Sequence, residues 1–583
     1  FLDDLRDSIN SGKGVHEDLI TKYKITDKEF RIIKDLCTKI MGLRNKDVDT
    51  IWIPVIKSYI VPLAFRESFD YIVGNPPWLA YRYIADPHYQ SIVKRMIKSL
   101  YGLVLDEHLM THMELATLFF VRSADKYLRD EGVIGFVMPR AIFTADQHDI
   151  FRSGRFKGAK LRFEKIVDCE DVDPLFYVPT CVVIARKNKE TKFPVDGLIA
   201  KGRLPEYRHK VLPLDEASKY LTVERVKFYY NRIGKRSFLD TKEITIKPHR
   251  SWYYSYFYQG ATIVPQSCWF VDVVDASKPD MVVVTSSKRS AVRGKIKEMI
   301  PPLPVEREFI YGVLTSAEVL PFTHLPPNVA VLPIRPTNRY YEIITRNRAI
   351  ELGYKHLAKW LEEAERIWNK VRGAKKEDLY RWLDYQRKLT SQSSKTKYRV
   401  VYLTSGTYLT ASIVRNEPLR LSLAKGEIIM NGVIIGHTLY RYDTSNEEEA
   451  FYLVAVLNSS VLDELIKPLQ AKGGFGERHI VKKPLEFPIP RYDPDNKIHK
   501  KLSELGKKAT QKAYEVLPDI LERLNYDAKL RQRGFLVPQE VGRVRSAIRD
   551  TLRDLLNEID SLVLQLFSID RREEGLLKYL KRS

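Results

Sequence analysis

The sequence predicts an α/β protein: an open sheet in its first third, then a mixed α+β region and a helical tail. Three observations predict it. Short apolar runs of strand length, "FDYIVG" from Phe69 and "VIGFVMPR" from Val133, flank a segment of helical periodicity, and "FEKIVD" and "TCVVIARK" follow as a pair. Strand, helix, strand and a late hairpin is the order of an open α/β sheet closed by antiparallel strands. Short strands then alternate with helices up to residue 496, and from 497 onward the apolar residues keep helical spacing.

Taken in order, residues 1–67 read as helices. Thr26 and Glu29 have capping-box spacing ahead of "FRIIKDLCTKIMGL", and "DTIWIPVIKSYIVPLAF" stays periodic to Pro62. Gly74 closes the first strand with a residue that tolerates unusual backbone angles. A second capping box, Thr111 with Glu114, opens a helix that stops at Gly132. The run 133–138 is apolar enough for a central strand covered on both faces. "CEDVDPLFYVP" joins the late pair, its Glu170, Asp171 and Asp173 reading as a solvated turn, and the domain ends near residue 190.

The stretch 191–300 is mixed, with "SWYYSYFYQGATIVPQSCWFVDVVD" as its most β-like part; the aromatic run Trp252–Tyr258 has rings that could stack bases, but at strand spacing alternate residues are expected to face a core. "PPLPV" at 301–305 reads as a linker. "YKHLAKWLEEAERIWNKVRG" and "DLYRWLDYQRKL" form a helical hairpin, and Ser445 with Glu448 caps "EAFYLVAVLNSS". The expected division is a helical lead-in at 1–67, a catalytic core at 68–190, a connecting region at 191–300, a target-recognition domain at 301–496 and a helical segment at 497–583.

Lys and Arg total 96 against 74 Asp and Glu, a formal charge of +22, and an excess of that size points to a polyanionic partner, most simply nucleic acid. Four dispersed cysteines without a CxxC pair disfavour zinc ribbons and disulfide frameworks and imply a reducing cytoplasm. The 12 histidines show no metal-ligand spacing, so no metal is expected. No run of 18 apolar residues is present to span a membrane. The first residue is Phe rather than Met, which reads as a piece of something longer.

The chemistry lies in Asn75-Pro76-Pro77-Trp78. Neither proline can donate to a sheet, so the strand ends in a rigid loop carrying an amide and then an indole. The exocyclic amine of a base is a poor nucleophile because its lone pair is delocalised into the ring. Two acceptors gripping its N–H bonds, the Asn75 side-chain oxygen and the Pro76 carbonyl, favour the tetrahedral nitrogen of the transition state, and a fixed loop has that geometry before substrate arrives. Trp78 offers a face on which a base stacks, and the base must first be flipped out of its duplex.

"FDYIVGNPPW" resembles motif IV of the S-adenosylmethionine-dependent amino-methyltransferases, in the form typical of DNA adenine-N6 enzymes. The late "IVDCEDVDPLFYVPTCVVIARK" resembles that family's terminal hairpin, and "EAFYLVAVLNSSVLDELIK" and "GGFGERHIVKKPLEFPIPRYDP" resemble the large methyltransferases of type IIG restriction–modification and of BREX or DISARM phage defence. The resemblance implies a Rossmann-like methyltransferase sheet, a target-recognition domain on the same chain, S-adenosylmethionine as cofactor touching Asn75 and Pro76, and double-stranded DNA as partner. Motif I, the glycine-rich cofactor loop, has no candidate in residues 1–67, since "NSGKG" lacks a preceding strand. The rest of the cofactor site is therefore expected on a further N-terminal segment or companion chain, docking around Val73 and Phe136. Other defence-system subunits are also possible partners. No endonuclease constellation is readable.

In "QAKGGFGERHIVKK" the glycines allow close backbone approach, and Lys472, Arg478, His479, Lys482 and Lys483 are expected to bind phosphates. Two rival readings stand beside DNA methylation. One is methylation of an RNA or protein amine or amide, whose enzymes rarely carry a long basic C-terminal region. The other is a DNA-binding subunit with a non-catalytic methyltransferase fold.

Overall fold

The computed structural model describes residues 27–44, 65–104, 106–205, 212–233, 236–243, 250–289, 298–373, 377–423, 426–470 and 478–567, besides Asp4, Asp7 and Lys22. Of the predicted helical lead-in this includes the helix Asp27–Arg44, whereas Thr26 and "DTIWIPVIKSYIVPL" lie outside the described residues. The chain divides into two compact units, the first made of Phe1–Ile142, Ile150–Leu175 and Thr180–Phe228, the second of Phe143–Asp149, Phe176–Pro179 and Tyr229–Ser583.

The first unit is built on a mixed sheet of β1 (Phe69–Gly74), β2 (Leu128–Pro139), β3 (Leu161–Asp173), β4 (Thr180–Lys187), β5 (Val195–Arg203) and the start of β6 (Leu221–Ile233), in the order β1-β2-β4-β3-β5-β6. β1 runs parallel to β2, whereas β4 lies antiparallel between β2 and β3. Strands β1, β2 and β3 therefore all end at one edge of the sheet. The domain does not stop near 190, because β5 pairs parallel with β3 and carries the sheet onward. Glu170, Asp171 and Asp173 are not a turn either. They continue β3, with Asp171 opposite Lys201 and Asp173 opposite Arg203.

The helix Leu115–Tyr127 covers one face, where Phe120 meets Phe136 and Phe151 edge-on at 5.6 and 5.4 Å. Its N-cap is Glu114 without a side-chain cap, and Thr111 donates instead to the His108 carbonyl, so no capping box forms. The strand begins at Leu128, four residues before Gly132, because Leu128 already pairs with Phe69. Coverage of β2 differs from expectation as well. Ile134, Phe136 and Met138 are buried, but Val133, Gly135 and Val137 on the other face are only half-buried. On that face Tyr71 and Val73 of β1 are 75% and 84% exposed.

The second unit packs short sheets and helices around two apolar clusters. Leu303–Glu306 is an edge strand pairing with Met281–Ser286, so "PPLPV" is structure rather than linker, and Pro304 is tolerated because an edge strand needs fewer donors. The helical pair at Lys355–Val371 and Leu379–Leu383 is present. The helix Glu447–Asn458 is buried on nearly all sides, and its cap is Asn446, one residue beyond the expected Ser445, accepting from the N–H groups of Glu448 and Glu449. It packs against Lys497–Arg523 so closely that a Cβ on Gly506 would lie 2.2 Å from the Phe451 carbonyl oxygen. The tail continues as the helices Pro538–Thr551 and Arg553–Leu566.

Candidate active site and nucleic-acid interface

The Asn-Pro-Pro-Trp loop leaves the sheet at the carboxyl end of β1. Gly74 stands opposite Phe136, and a Cβ there would lie 3.1 Å from the ring, so glycine lets the strand end close against β2. Asn75 is exposed, and its amide makes no hydrogen bond among the described residues. Pro76 is buried and Pro77 exposed, so one ring anchors the loop. Trp78 is half-buried, its indole N–H donating to the Val137 carbonyl at 3.3 Å. The chain beyond is clipped to the segment before the helix Leu115–Tyr127, through Leu115 N–H to Leu79 O at 2.9 Å and Tyr81 N–H to Met113 O at 2.8 Å. The result is an amide held outward from a loop fixed at both ends.

Beside it at the same sheet edge stands an ion-pair cluster that the sequence reading did not single out. Arg140, the residue after β2, donates from Nε to both oxygens of Asp168 at 2.9 Å and pairs with Glu170 at 3.3 Å. Burial opposes the guanidinium charge, but the neighbouring Asp168 and Glu170 outweigh it and hold Arg140 above its ordinary range. The pair ties the end of β2 to Asp168 within β3. A charged residue directly after each of two apolar strand runs was the available signal, since open α/β sheets keep their chemistry at the carboxyl ends of strands.

The expected phosphate-binding segment belongs to the second unit. Lys472 and the glycine run lie outside the described residues. Arg478 and His479 form a short strand against Ser405–Gly406, and His479 is exposed. Lys482 donates to the Tyr254 carbonyl at 2.8 Å, with its ammonium 4.9 Å from that ring, and burial pulls it below the usual lysine range. Lys483 is buried with its ammonium on the His479 carbonyl at 3.0 Å. In this conformation both lysines tie the segment down.

The aromatic run that Lys482 touches is a strand only at its last residue, Tyr258, which opens the short strand Tyr258–Gln259. Trp252–Ser255 is a 3₁₀ turn, and its residues divide by helical spacing: Tyr253 and Phe257 are fully buried, while Trp252, Tyr256 and Tyr258 are 38%, 46% and 55% exposed. The expectation of core holds for one half of the run only. Among the described residues no cluster of His, Cys, Asp and Glu could hold a metal ion, and no helix is long and apolar enough to cross a membrane.

Residues 10–176 match the sequence model of the Eco57I restriction-modification methylase family. No curated protein matches the chain. Among solved structures it is similar to the type IIL restriction-modification enzyme MmeI in complex with DNA, at 10% identity over 88% of this chain and 56% of that one, with a TM-score of 0.48. It is also similar to the type IIG restriction endonuclease BpuSI, at 14% identity over 86% and 55% with a TM-score of 0.25, and to the DrdV–DNA complex, at 11% over 77% and 44% with a TM-score of 0.30. The chain thus spans a little over half the length of MmeI and of BpuSI.

Proposed function

We propose that the chain is the acceptor-binding and DNA-reading part of a site-specific DNA methyltransferase acting on adenine N6, in a restriction–modification or related defence system. The observation that carries the reading is Asn75, an exposed amide without a hydrogen bond among the described residues, held at the carboxyl end of a parallel strand. The match of residues 10–176 to a restriction-modification methylase family supports the same reaction class. In this reading the Asn75 side-chain oxygen and the Pro76 carbonyl accept the two N6 hydrogens. Nitrogen then turns tetrahedral as it attacks, and one of those protons leaves to solvent. Trp78, fixed by its bond to Val137, gives the extruded base a stacking face.

S-adenosylmethionine supplies an electrophilic methyl group when bound. The residues present fit it on one side. Asn75 and Pro76 end β1 where donor and acceptor meet, but among the described residues no glycine-rich turn follows a parallel strand. Among the described residues β1 is an edge strand, pairing only with β2, and its Tyr71 and Val73 are exposed. Of the two residues expected at the docking surface, Val73 is exposed, whereas Phe136 is buried under Phe120 and drops out of it. We therefore assign the second wall of the cofactor pocket to a further segment or companion chain that pairs with β1, and target reading to the second unit.

The test is transfer of labelled methyl groups to duplex DNA by the chain supplied with that segment, followed by nucleoside digestion. The label is expected in N6-methyladenine. Label confined to cytosine, RNA or protein would overturn the assignment.

A further inference from the structure

The turn Ser251–Tyr258 is built to present aromatic rings rather than to hide them. Its inner half is locked in place. The Tyr253 hydroxyl donates to Glu449 at 3.0 Å and accepts the Tyr492 N–H at 2.8 Å, and Phe257 is fully buried. The backbone is clipped to the segment after Lys482 by Ser251 N–H to Leu485 O at 3.0 Å and Trp252 N–H to Ile489 O at 3.1 Å. On this fixed base Trp252 and Tyr256, four residues apart, stack outward with centroids 4.4 Å apart and planes at 20°. Exposing large rings costs solvation free energy, and a chain with ample core has no folding reason to arrange them so.

The surroundings are cationic. The Arg491 guanidinium lies 4.9 Å from the Trp252 centroid, Arg491 is exposed, and among the described residues it makes no ion pair. The Arg250 guanidinium lies 4.2 Å from the Tyr254 centroid. The carboxylate that Arg250 meets, Glu486, is itself buried and shared with Arg236, so it does not offset charge at the surface. Flat rings beside a guanidinium with free N–H edges suit a ligand that alternates apolar rings with anions. The sugar–phosphate backbone and bases of DNA have that alternation.

We propose that Trp252, Tyr256 and Arg491 form a DNA-contacting ledge, Arg491 taking a phosphate and the rings packing on the adjoining sugar or base. The ledge rests on the reading that this chain binds duplex DNA, and it locates that contact outside the lysines the sequence nominated. It explains why Lys482 and Lys483 are spent internally: they fasten the segment that frames the rings.

The test is duplex binding by the full chain, followed by fluorescence anisotropy across a salt series. Arg491→Ala should weaken binding about 3- to 10-fold at low salt and reduce the slope of log affinity against log salt by about one. Tyr256→Ala should weaken binding by about 5-fold or more with the slope unchanged, because stacking releases no counterion. Tyr256→Phe should retain affinity, and Arg381→Ala, an exposed arginine on the helix Leu379–Leu383, should behave as wild type apart from nonspecific charge loss. Equal binding by all four variants in a chain that does bind duplex would overturn the ledge and leave the DNA reading standing. Failure of the wild-type chain to bind any duplex would overturn both. Competition by polyglutamate as strong as by DNA would make the ledge an acidic-protein site instead.

Discussion

At the scale of single residues the decisive groups are those held in place while leaving a function free. Asn75 is the clearest. Replacing it with Ala in the complete enzyme should lower methyl transfer at least ~10²-fold, the order seen when one preorganised contact to a transition state is removed. The circular dichroism spectrum and duplex affinity should not move, and wild-type turnover would sink the assignment. In the proposed reading Trp78 has two duties, the bond to Val137 and a stacking face, so its substitutions should separate them. Trp78→Phe keeps a ring but loses the bond to Val137, costing about 1 kcal/mol of stability while a fluorescent base analogue still reports flipping. Trp78→Ala should lose the flipping signal. Arg140 is structural in a different way. Arg140→Met leaves Asp168 buried without its partner and should cost about 3–5 kcal/mol, whereas adding Asp168→Leu should recover much of it. Denaturant unfolding of the two variants measures the difference, and equal losses would show that the pair is not the reason for the cost.

At the scale of elements, helix starts were read from sequence to within one residue or misread through their caps. The box at Thr111 failed because Thr111 finds the His108 carbonyl, and the cap at Ser445 moved to Asn446, a neighbour whose side chain also accepts. Competing local acceptors a residue apart are not distinguishable by spacing alone. Between helices, Asp560 on Arg553–Leu566 accepts the Ser460 N–H at 2.7 Å at the start of the helix Ser460–Ile466. Burial pushes its carboxyl up from 3.8 to about 6. With the folded value above the unfolded one, the native state holds the extra proton between those values, so stability falls as pH rises from about 4 to 6 and stays lower beyond. The penalty is about 3 kcal/mol at neutral pH, from about 1.4 kcal/mol per unit. Asp560→Asn keeps the acceptor without the charge, and should be more stable than wild type at pH 7.5 but equal to it near pH 4. Urea midpoints at the two pH values decide this, and a pH-independent difference would contradict it.

At the scale of the whole molecule, the proposed second wall of the cofactor pocket would attach at β1, which among the described residues pairs only with β2. A chain that supplies one wall of a cofactor pocket aligns donor and acceptor poorly, and transfer depends on that alignment. Residues 1–583 alone should therefore bind S-adenosylmethionine weakly and methylate nothing, and a polypeptide carrying a glycine-rich cofactor loop should restore both. Val73→Asp should block the restoration while leaving the isolated chain folded, because Val73 is 84% exposed. Tight stoichiometric cofactor binding to the chain alone, read by calorimetry, would show a complete site within it.

The sequence by itself determined four strands of the first sheet, the late antiparallel pair among them, the Asn-Pro-Pro-Trp loop and the basic character of the whole. Each rests on local chemistry: apolar runs of strand length, prolines without donors, an uncompensated sum of charges. Only the tertiary structure decided where that charge acts and which rings are free. Lys482 and Lys483 are cationic in any sequence, yet their ammonium groups are claimed by the Tyr254 and His479 carbonyls. The residues Trp252 to Tyr258 are equally aromatic, yet a 3₁₀ turn sends Tyr253 and Phe257 inward and Trp252 and Tyr256 outward. Arg140 and Asp168 lie 28 residues apart and meet only because β4 inserts between β2 and β3, which leaves those two strands running the same way. Partner choice among polar groups and the face a ring turns to solvent depend on residues distant in sequence, and no local pattern contains them.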